Sequence, residues 1–293
     1  MYFVKMQGAG NDYIYIDGVR EEVPNPPLTA RMISDRHFGV GSDGLVLILP
    51  GEGDADFRMR MFNANGSEAE MCGNAARCVG KYVHDLGLTD KKTIRLQTGS
   101  GIKILELETR DGKTRSVRVD MGAPALAPEA IPTLLESNAT FPAENGVPSP
   151  AVIHQMIQIQ RETFPVTCVS MGNPHCVFFV ENAEGWNVEK WGRLVETHPA
   201  FPQKTNVEFA CIEDREHIRM RVWERGSGET MACGTGACAT LAAAVMNGLT
   251  ERKAVLILNG GELEIEWDEK TGHILMSGPA EFTFEGHWPF SVR

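Results

Sequence analysis

The sequence predicts an α/β (α+β) fold made of two pseudo-symmetric domains that arose by internal duplication. The passage EAEMCGNAARCVGKYVHDLGLTDKK, which starts at Glu68, recurs as ETMACGTGACATLAAAVMNGLTERK from Glu229. Alternating apolar segments typical of β-strands lie on both sides of each copy. The second copy is apolar or small on all sides, as expected of a buried helix. A curled mixed β-sheet around a central helix would bury such a helix in each half.

The register of the duplication follows from subtraction. Cys72 and Cys233 are 233 − 72 = 161 positions apart, and the same offset relates RMRMF at Arg58 to RMRVW at Arg219. Upstream the match is looser, because the Gly-Asn pairs that end at Asn11 and Asn173 differ by 162. A duplicated unit of about half the chain explains these matches.

Each half predicts the same order of elements. A Gly-Asn turn leads into a strand (YIYID or CVFFV), and an alternating segment follows (FRMRMF or HIRMRVW). A polar loop, the cysteine and a helix of about four turns come next. Gly87 or Gly248 is expected to cap that helix, and a further strand (TIRLQT or AVLILN) follows it. The segment AEFTFEG near the C-terminus is expected to cross back and complete the first half. The proline-rich segment that starts at Met121 predicts a connector over the surface.

Charge and cysteine content exclude several classes of function. The net charge is 28 − 39 = −11 without a basic cluster, so we expect no nucleic-acid partner and no anionic membrane partner. The first residues lack the apolar segment of a signal peptide, and no apolar run is long enough to span a membrane. Seven cysteines, an odd number without a secretion signal, predict reduced thiols and a cytoplasmic protein.

The two matched cysteines are the strongest functional candidates. Cys72 and Cys233 each open a predicted helix, where unpaired N–H groups and the helix dipole favour negative charge. We therefore expect both thiols to ionise more readily than an ordinary cysteine. Flanking glycines would let a carboxylate approach the backbone N–H groups. Cys78 and Cys238 lie inside the helices and are expected to be small core residues.

Paired thiols suit three chemistries. They can form a disulfide couple, or bind zinc together with His175 and Cys176, although the Cys-x2-Cys spacing of structural zinc sites is absent. They can also carry out two-base proton transfer, in which one thiolate removes a proton from a carbon and the opposite thiol returns one to the other face. The residues alone leave a metal- or redox-binding module open beside an epimerase.

Four motifs and the duplication itself resemble the diaminopimelate epimerases: KMQGAGNDYIYID, FNANGSEAEMCGNAARC, SMGNPH and ERGSGETMACGTGA. The resemblance implies cofactor-independent interconversion of LL- and meso-2,6-diaminoheptanedioate, an amino-acid substrate used in lysine and peptidoglycan precursor synthesis. It implies domains at 1–123 plus 279–293 and at 124–278, with the active site at their interface, no metal, and a homodimer. The same scaffold is shared with racemases and isomerases of the proline-racemase type.

The resemblance also implies roles for individual residues. Cys72 and Cys233 are similar to the acid–base pair, with His175 assisting the first thiol and Glu224 the second. The implied substrate-binding residues are Asn11, Asn63, Gly73, Asn74, Asn173, Asn206, Glu224, Arg225, Gly234 and Thr235. The sequence departs from the pattern at two positions, because some members have Gln at Gly44 and many have Gly at Ala75.

Overall fold

A computed structural model describes residues 1–142 and 147–289 and contains two compact units. Unit 1 consists of Met1–Val119 and Ser277–Arg293, and unit 2 of Asp120–Met276. Residues 143–146 of the expected connector and residues 290–293 of the expected first domain lie outside the described residues.

The described residues are rich in β-strands. In chain order these are β1 Tyr2–Gly8, β2 Asn11–Asp17, β3 Gly44–Pro50, β4 Phe57–Asn63, β5 Glu68–Ala69, β6 Thr93–Thr98, β7 Gly101–Arg110, β8 Lys113–Gly122, β9 Ala139–Pro142, β10 Pro148–Ile159, β11 Glu162–Ser170, β12 Pro174–Phe179, β13 Asn206–Ile212, β14 His217–Glu224, β15 Gly228–Thr230, β16 Lys253–Leu258, β17 Gly261–Trp267, β18 Ile274–Gly278 and β19 Glu281–His287. The helices are α1 Pro26–Ser34, α2 Gly73–Asp85, α3 Val188–Glu196 and α4 Gly234–Met246, with a 3-10 turn at Pro128–Ala130.

The two units share one pattern of strand pairing. In unit 1, β2 runs parallel to β3, β3 antiparallel to β4, β4 parallel to β6 and β6 antiparallel to β7. In unit 2 the same four relations join β12 to β13, β13 to β14, β14 to β16 and β16 to β17. The predicted mixed sheets and the predicted internal duplication are confirmed.

The outer strand of each sheet has a different origin in the two units. In unit 1 the C-terminal strand β19 pairs antiparallel with β1, which confirms that AEFTFEG returns to the first half. In unit 2 the equivalent neighbour of β11 is β10, the strand directly before it in the chain. A two-residue turn suffices for β10 and β11, whereas unit 1 is completed only when the chain returns from unit 2.

Each unit packs its long helix against its own sheet. Helix α4 lies against β11, β12, β13, β16 and β17, and most of its side chains are buried, as its apolar sequence predicts. Helix α2 lies against β1, β2 and β7. Both helices end in a Schellman motif, since the N–H groups of Gly87 and Gly248 donate to the carbonyls of His84 and Val245. The two glycines have φ values of 75° and 68°, a region that residues with a Cβ adopt at a cost.

Two shorter helices were not predicted. Helices α1 and α3 are 162 positions apart at both ends, so the duplication extends to them. Each is capped by an asparagine, Asn25 or Asn187, whose side chain accepts the backbone N–H of Leu28 or Lys190. The sequence signal was present in these two N-caps and in Pro26 at the first helical position.

The prediction that the proline-rich connector lies on the surface is wrong for much of its length. Leu126 and Ile131 are buried, and Ile131 belongs to the apolar core of unit 2. Strand β9 then pairs antiparallel with the first residues of β10. The prolines prevented a strand prediction, yet edge strands tolerate them where the missing N–H faces away from the ladder.

Candidate active site

The first candidate thiol is the N-cap of α2. Cys72 has extended backbone angles, and its carbonyl accepts the first helical hydrogen bond from Ala76 N. Its Sγ donates to Asn11 Oδ1 at 3.4 Å. Asn11 is itself anchored, because its Nδ2 donates to Asp43 Oδ2 at 2.8 Å. The thiol of unit 1 is thus partly exposed and faces an amide oxygen held in place by a neighbouring carboxylate.

The other unit 1 candidates surround the start of the same helix. Asn63 ends β4, and its Nδ2 donates to Ser67 Oγ at 3.0 Å. Asn74 is 2% exposed and accepts from Arg77 Nη2 at 2.9 Å through its side-chain oxygen. Since that side chain is used inside the unit, the backbone N–H groups of Gly73 and Asn74 are the donors that this helix start offers to an anion.

The second candidate thiol is the N-cap of α4. Cys233 is only 6% exposed, and its Sγ accepts the N–H of Gly236 at 3.4 Å. Its Sγ also lies 3.5 Å from Thr235 Oγ1. Gly234 and Thr235 stand where Gly73 and Asn74 stand in unit 1. The predicted helix-start position is confirmed for both cysteines, and Cys78 and Cys238 are buried inside the helices as predicted.

The expected easy ionisation is wrong for Cys233. Burial raises the pKa of this thiol well above its ordinary value, and the carboxylates of Glu224 and Glu208 raise it further. The contacts with Thr235 and the Gly236 N–H lower the pKa but do not offset the burial. Desolvation and two nearby acids therefore raise the pKa of Cys233 by more than the helix N-terminus lowers it. The prediction from sequence included only the helix N-terminus. Burial likewise raises the pKa of Cys78, to about 11.

Glu224 lies beside this thiol at the end of β14. Burial raises the pKa of its carboxyl group. Hydrogen bonds from the Thr230 hydroxyl and the Cys233 thiol, together with the electrostatic influence of His175, only partly offset that rise. The Thr230 hydroxyl donates to Glu224 Oε1. Both groups have raised pKa values, and a proton that passes from the thiol to the ionised carboxyl moves the negative charge from oxygen to sulphur without adding a second one.

His175 and Asn173 form a polar pair behind Cys233. His175 is 0% exposed, and its Nε2 lies 3.0 Å from Asn173 Oδ1. Asn173 Nδ2 in turn donates to Thr235 Oγ1 at 3.3 Å. Its complete burial shows that His175 is not a surface residue at a turn.

Asn206 and Arg225 occupy the end of the same sheet. Asn206 Oδ1 accepts the N–H of Arg225 at 2.9 Å, and its Nδ2 donates to the carbonyl of Pro174 at 2.8 Å. The guanidinium of Arg225 is exposed and donates to the carbonyl of Gln203 at 3.1 Å. Asn206 therefore orients the backbone of Arg225. The guanidinium itself is on the surface, where its other N–H groups are accessible to solvent.

Unit 1 has Gly44 where unit 2 has Asn206, because the two residues pair with Tyr13 and His175 in the same register. A Cβ at Gly44 would lie 2.1 Å from the carbonyl oxygen of Phe62. A longer side chain cannot be placed here on this backbone. Ala75, the second departure, is completely buried in the first turn of α2.

Glu208 is a site residue that the sequence reasoning missed. It lies on β13 two positions after Asn206, on the same face of the strand, and it contacts His175. An acidic residue inside the apolar strand NVEFACI was the available signal, because a buried carboxyl group in a strand needs a partner.

Neither a metal-binding cluster nor a membrane-spanning helix occurs in the described part of the chain. Within residues 1–142 and 147–289, no group of three or more His, Cys, Asp or Glu side chains is arranged to hold a metal ion. No helix in the same described ranges is long and apolar enough to cross a membrane. Each of the seven cysteines, all of them described, is a thiol outside any disulfide.

Comparison with known proteins gives consistent results. The family model for diaminopimelate epimerase matches residues 3–127 and 167–283. The chain is 55% identical to the diaminopimelate epimerase of Acetivibrio thermocellus over 286 residues, covering 98% of both chains. It is 54% identical to the diaminopimelate epimerase of Methanococcus maripaludis strain C5, covering 98% of this chain and 99% of the relative.

Solved structures with the same fold are more distant in sequence. A hydroxyproline epimerase from Agrobacterium vitis superposes with a TM-score of 0.65 at 14% identity, covering 98% of this chain and 90% of that one. A phenazine biosynthesis protein of the PhzF family from Bacillus anthracis superposes with a TM-score of 0.69 at 16% identity, covering 99% of each chain. These likenesses extend the duplicated fold to proteins of different sequence.

Proposed function

We propose an activity for this chain from one premise: it belongs to the diaminopimelate epimerase family. The proposed reaction interconverts LL- and meso-2,6-diaminoheptanedioate, an isomerisation that supplies lysine and peptidoglycan precursors. The observation that carries the proposal is the pair of thiols at matched helix N-termini, Cys72 and Cys233. The family resemblance selects the substrate, and the thiols account for the chemistry.

The proposed mechanism uses two bases. One sulphur, as thiolate, removes the α-proton, and the electron pair of the broken C–H bond is delocalised into the α-carboxylate. The other sulphur, as thiol, delivers its own proton to the opposite face of the same carbon and becomes a thiolate. The mechanism requires the two sulphur atoms to reach opposite faces of the same substrate carbon. It needs only protein thiols and no added cofactor.

In unit 2 we assign the proton of Cys233 to Glu224. The partly buried carboxylate accepts the thiol proton, which leaves a thiolate beside the Gly236 N–H and the Thr235 hydroxyl. Both groups can donate a hydrogen bond to the thiolate. We retain His175 as a catalytic group, which the resemblance assigns to the first thiol; its described partners, Glu208 and Asn173, lie in unit 2.

The helix starts provide the anion-binding part of the site. Backbone N–H groups at Gly73 and Asn74, and at Gly234 and Thr235, lack partners within their helices. A substrate carboxylate held there gains a favourable interaction as negative charge develops on it. This is the physical reason for placing a cysteine and a glycine at the beginning of a helix in both units.

The distal end of the substrate needs a second recognition set. We assign its carboxylate to Arg225, whose exposed planar guanidinium binds carboxylates through two parallel hydrogen bonds. The amide side chains of Asn11, Asn63, Asn173 and Asn206 complete the proposed substrate-binding set. Asn206 contributes chiefly by orienting Arg225, as its hydrogen bond to the Arg225 N–H indicates.

We also propose that the enzyme acts as a homodimer in the cytoplasm. The family resemblance supports the dimer, and seven cysteines outside any disulfide are consistent with a reducing compartment. Light scattering after size-exclusion chromatography tests the assembly, and a mass equal to one chain of 32.2 kDa would contradict it.

One assay tests the proposed reaction. Purified protein is incubated with LL-diaminopimelate and the stereoisomers are resolved chromatographically over time. The meso isomer should appear, and the same equilibrium mixture should form from pure meso substrate. Conversion that fails with either isomer, while the protein is folded and its thiols are reduced, would reject the substrate assignment.

A further inference from the structure

Glu208 is completely buried in unit 2, in a polar cluster with His175, Asn173, Thr235 and Cys233. Its side chain is 0% exposed, and its Oε1 lies 2.6 Å from Nδ1 of the equally buried His175. Its second oxygen, Oε2, is buried without a hydrogen-bond partner among the described residues. A fully charged carboxylate in this position is therefore poorly solvated, and burial raises the pKa of Glu208.

A chain of hydrogen bonds leads from Glu208 to Cys233. Glu208 contacts His175 at 2.6 Å, His175 contacts Asn173 at 3.0 Å, and Asn173 contacts Thr235 at 3.3 Å. The last step joins Thr235 Oγ1 to the sulphur of Cys233 at 3.5 Å. Every contact is between side chains, so each group restricts which atom of the next one can donate.

The direction of this chain depends on the proton count of the first pair. If His175 and Glu208 together hold one dissociable proton besides that on Nε2, the buried pair is neutral and Nε2–H donates to Asn173 Oδ1. The Asn173 amide nitrogen then donates to Thr235, whose own O–H remains available for the sulphur. If Nε2 has no proton, the pair either carries a net negative charge or holds its second proton on Oε2. Burial disfavours the charge, and Oε2 has no described partner to accept a hydrogen bond.

We propose that Glu208 is a positioning residue that fixes the direction of this hydrogen-bond chain, so that Thr235 donates its hydroxyl hydrogen to Cys233. Glu208 is too deeply buried to touch the substrate and acts through His175, Asn173 and Thr235. The chain supplies the sulphur with a donor whose orientation is set before substrate binds, which lowers the cost of forming a thiolate there.

Unit 1 provides an independent argument, because it lacks the chain at matched positions. Val46 stands where unit 2 has Glu208, and Tyr13 where unit 2 has His175. A Cβ at Gly236 would lie 2.8 Å from Glu208 Oε1, so only glycine leaves room for the carboxyl group. The matched residue of unit 1 is Ala75, whose Cβ faces no such acid. The acid and the glycine are thus a coupled departure from the arrangement in unit 1.

Glu208→Gln is the sharpest test. Glutamine keeps the shape of the side chain, and its pair with His175 is uncharged for either direction of the hydrogen-bond chain. Its amide can accept from Nδ1–H or donate to Nδ1, so both tautomers of His175 become accessible. The ¹⁵N spectrum of His175 should change from a protonated Nε2 to a mixture of tautomers. Iodoacetamide alkylation of Cys233 at one fixed pH should slow by about tenfold as its hydroxyl donor is lost. The kcat should fall by about tenfold, because the thiolate loses one hydrogen bond.

A double-mutant cycle separates positioning from general damage. Thr235→Val should slow alkylation of Cys233 to the same extent, and Glu208→Gln combined with Thr235→Val should slow it no further. Cys211 lies on β13, the strand that also carries Glu208. It should react at the wild-type rate in every variant and serves as the reference thiol. Val207→Ala disturbs packing from the other face of β13, and should lower the unfolding temperature while leaving the His175 spectrum unchanged.

The inference rests on the proposed function only for the kcat readout. The ¹⁵N spectrum and the alkylation rates do not require epimerase activity, so failure of the substrate assay leaves them interpretable. Unchanged His175 resonances together with unchanged Cys233 alkylation in Glu208→Gln would overturn the proposal. Additive slowing in the double variant would also overturn it, because Glu208 would then act by a route that bypasses Thr235.

Discussion

Units 1 and 2 each have a cysteine at the N-cap of the long helix, but the side chains around the two cysteines differ. In unit 1 the Cys72 thiol donates to an amide oxygen, that of Asn11. In unit 2 the Cys233 sulphur accepts the Gly236 N–H and lies among acids. The matched pairs that create this difference are Asn63 and Glu224, Tyr13 and His175, Val46 and Glu208, Asn74 and Thr235, and Ala75 and Gly236.

The comparison separates two tasks within one duplicated fold. Strand pairing, helix length and the helix C-caps are shared, so the frame delivers a sulphur atom to the start of a helix in each unit. The side chains around that sulphur differ between the units and change its tendency to donate or to accept a proton. The two units therefore differ in the side chains around the cysteine while they share the same strand pairing.

The largest expected effect comes from removing either sulphur. Cys72→Ala and Cys233→Ala should each reduce kcat by about 10²- to 10⁴-fold or more, since each deletes one acid–base group. The matched controls are Cys78→Ala and Cys238→Ala, which should cost about 1 kcal/mol of stability and little activity. Steady-state rates and thermal unfolding distinguish the two pairs. Near-wild-type turnover in Cys72→Ala or Cys233→Ala would break the proposed equivalence of the two thiols.

Glu224→Gln tests the acid beside the second thiol. We expect kcat to fall by roughly 10²-fold, because the amide cannot accept the thiol proton. The reciprocal change Asn63→Asp should not rescue it, because unit 1 lacks the rest of the acidic cluster. A Glu224→Gln variant with full activity would mean that another group receives the proton of Cys233.

The same variant has a predictable pH dependence of stability. The pKa of Glu224 is raised above its ordinary value of 4.5, so the folded state binds a proton more tightly than the unfolded state. Stability of the wild type therefore declines as pH rises above about 4.5, through the raised pKa, when the buried carboxylate must ionise. Glu224→Gln should gain stability relative to wild type as pH rises through that window. Denaturant titrations that show a constant difference across the window would contradict the raised pKa.

Arg225→Lys tests a feature that unit 2 has and unit 1 lacks, because the matched residue there is Ala64. An ammonium group cannot reproduce the two parallel hydrogen bonds of a guanidinium to a carboxylate. KM should rise by about tenfold, equivalent to about 1.4 kcal/mol, with a smaller effect on kcat. An unchanged KM would place the distal carboxylate elsewhere.

The smallest expected effect tests the shared frame. Gly87→Ala and Gly248→Ala should each cost roughly 1–2 kcal/mol, because alanine must adopt a left-handed conformation at the helix C-cap. No heavy atom lies within 4 Å of the added Cβ at either position, so the cost is conformational and should be equal in the two units. Chemical denaturation measures it, and unequal losses would show that the two frames are not equivalent.

Much of this structure was predictable from residues that repeat. The offset of 161 predicts, from the sequence alone, both cysteines, both long helices and the strands around them. The short helices α1 and α3 were missed because their sequences share little beyond the capping asparagines. The burial of the connector was not predicted, because its prolines indicate a surface segment. Ile131 nevertheless packs into the core of unit 2.

The electrostatics of the site were less predictable than its position. A helix N-terminus can be inferred from sequence, but the depth of burial of Cys233 and its proximity to Glu208 and Glu224 depend on strands that are distant in the chain. Those contributions raise the pKa of the thiol, whereas the local argument predicted that it would be lowered. Glu208 was visible in the sequence as an acid in an apolar strand, yet its partner His175 could be identified only from β12 and β13 pairing side by side.

Solvent deuterium incorporation tests the central claim that the two matched thiols act as acid and base on opposite faces of one carbon. The reaction is run in deuterium oxide from a single stereoisomer and stopped at low conversion for mass spectrometry. The delivering thiol has already exchanged with solvent, so early product should carry deuterium at the inverted α-carbon while remaining substrate keeps its original proton. A single base serving both faces would return the original proton. Early product that retains that proton would contradict the assignment of Cys72 and Cys233 as an opposed pair.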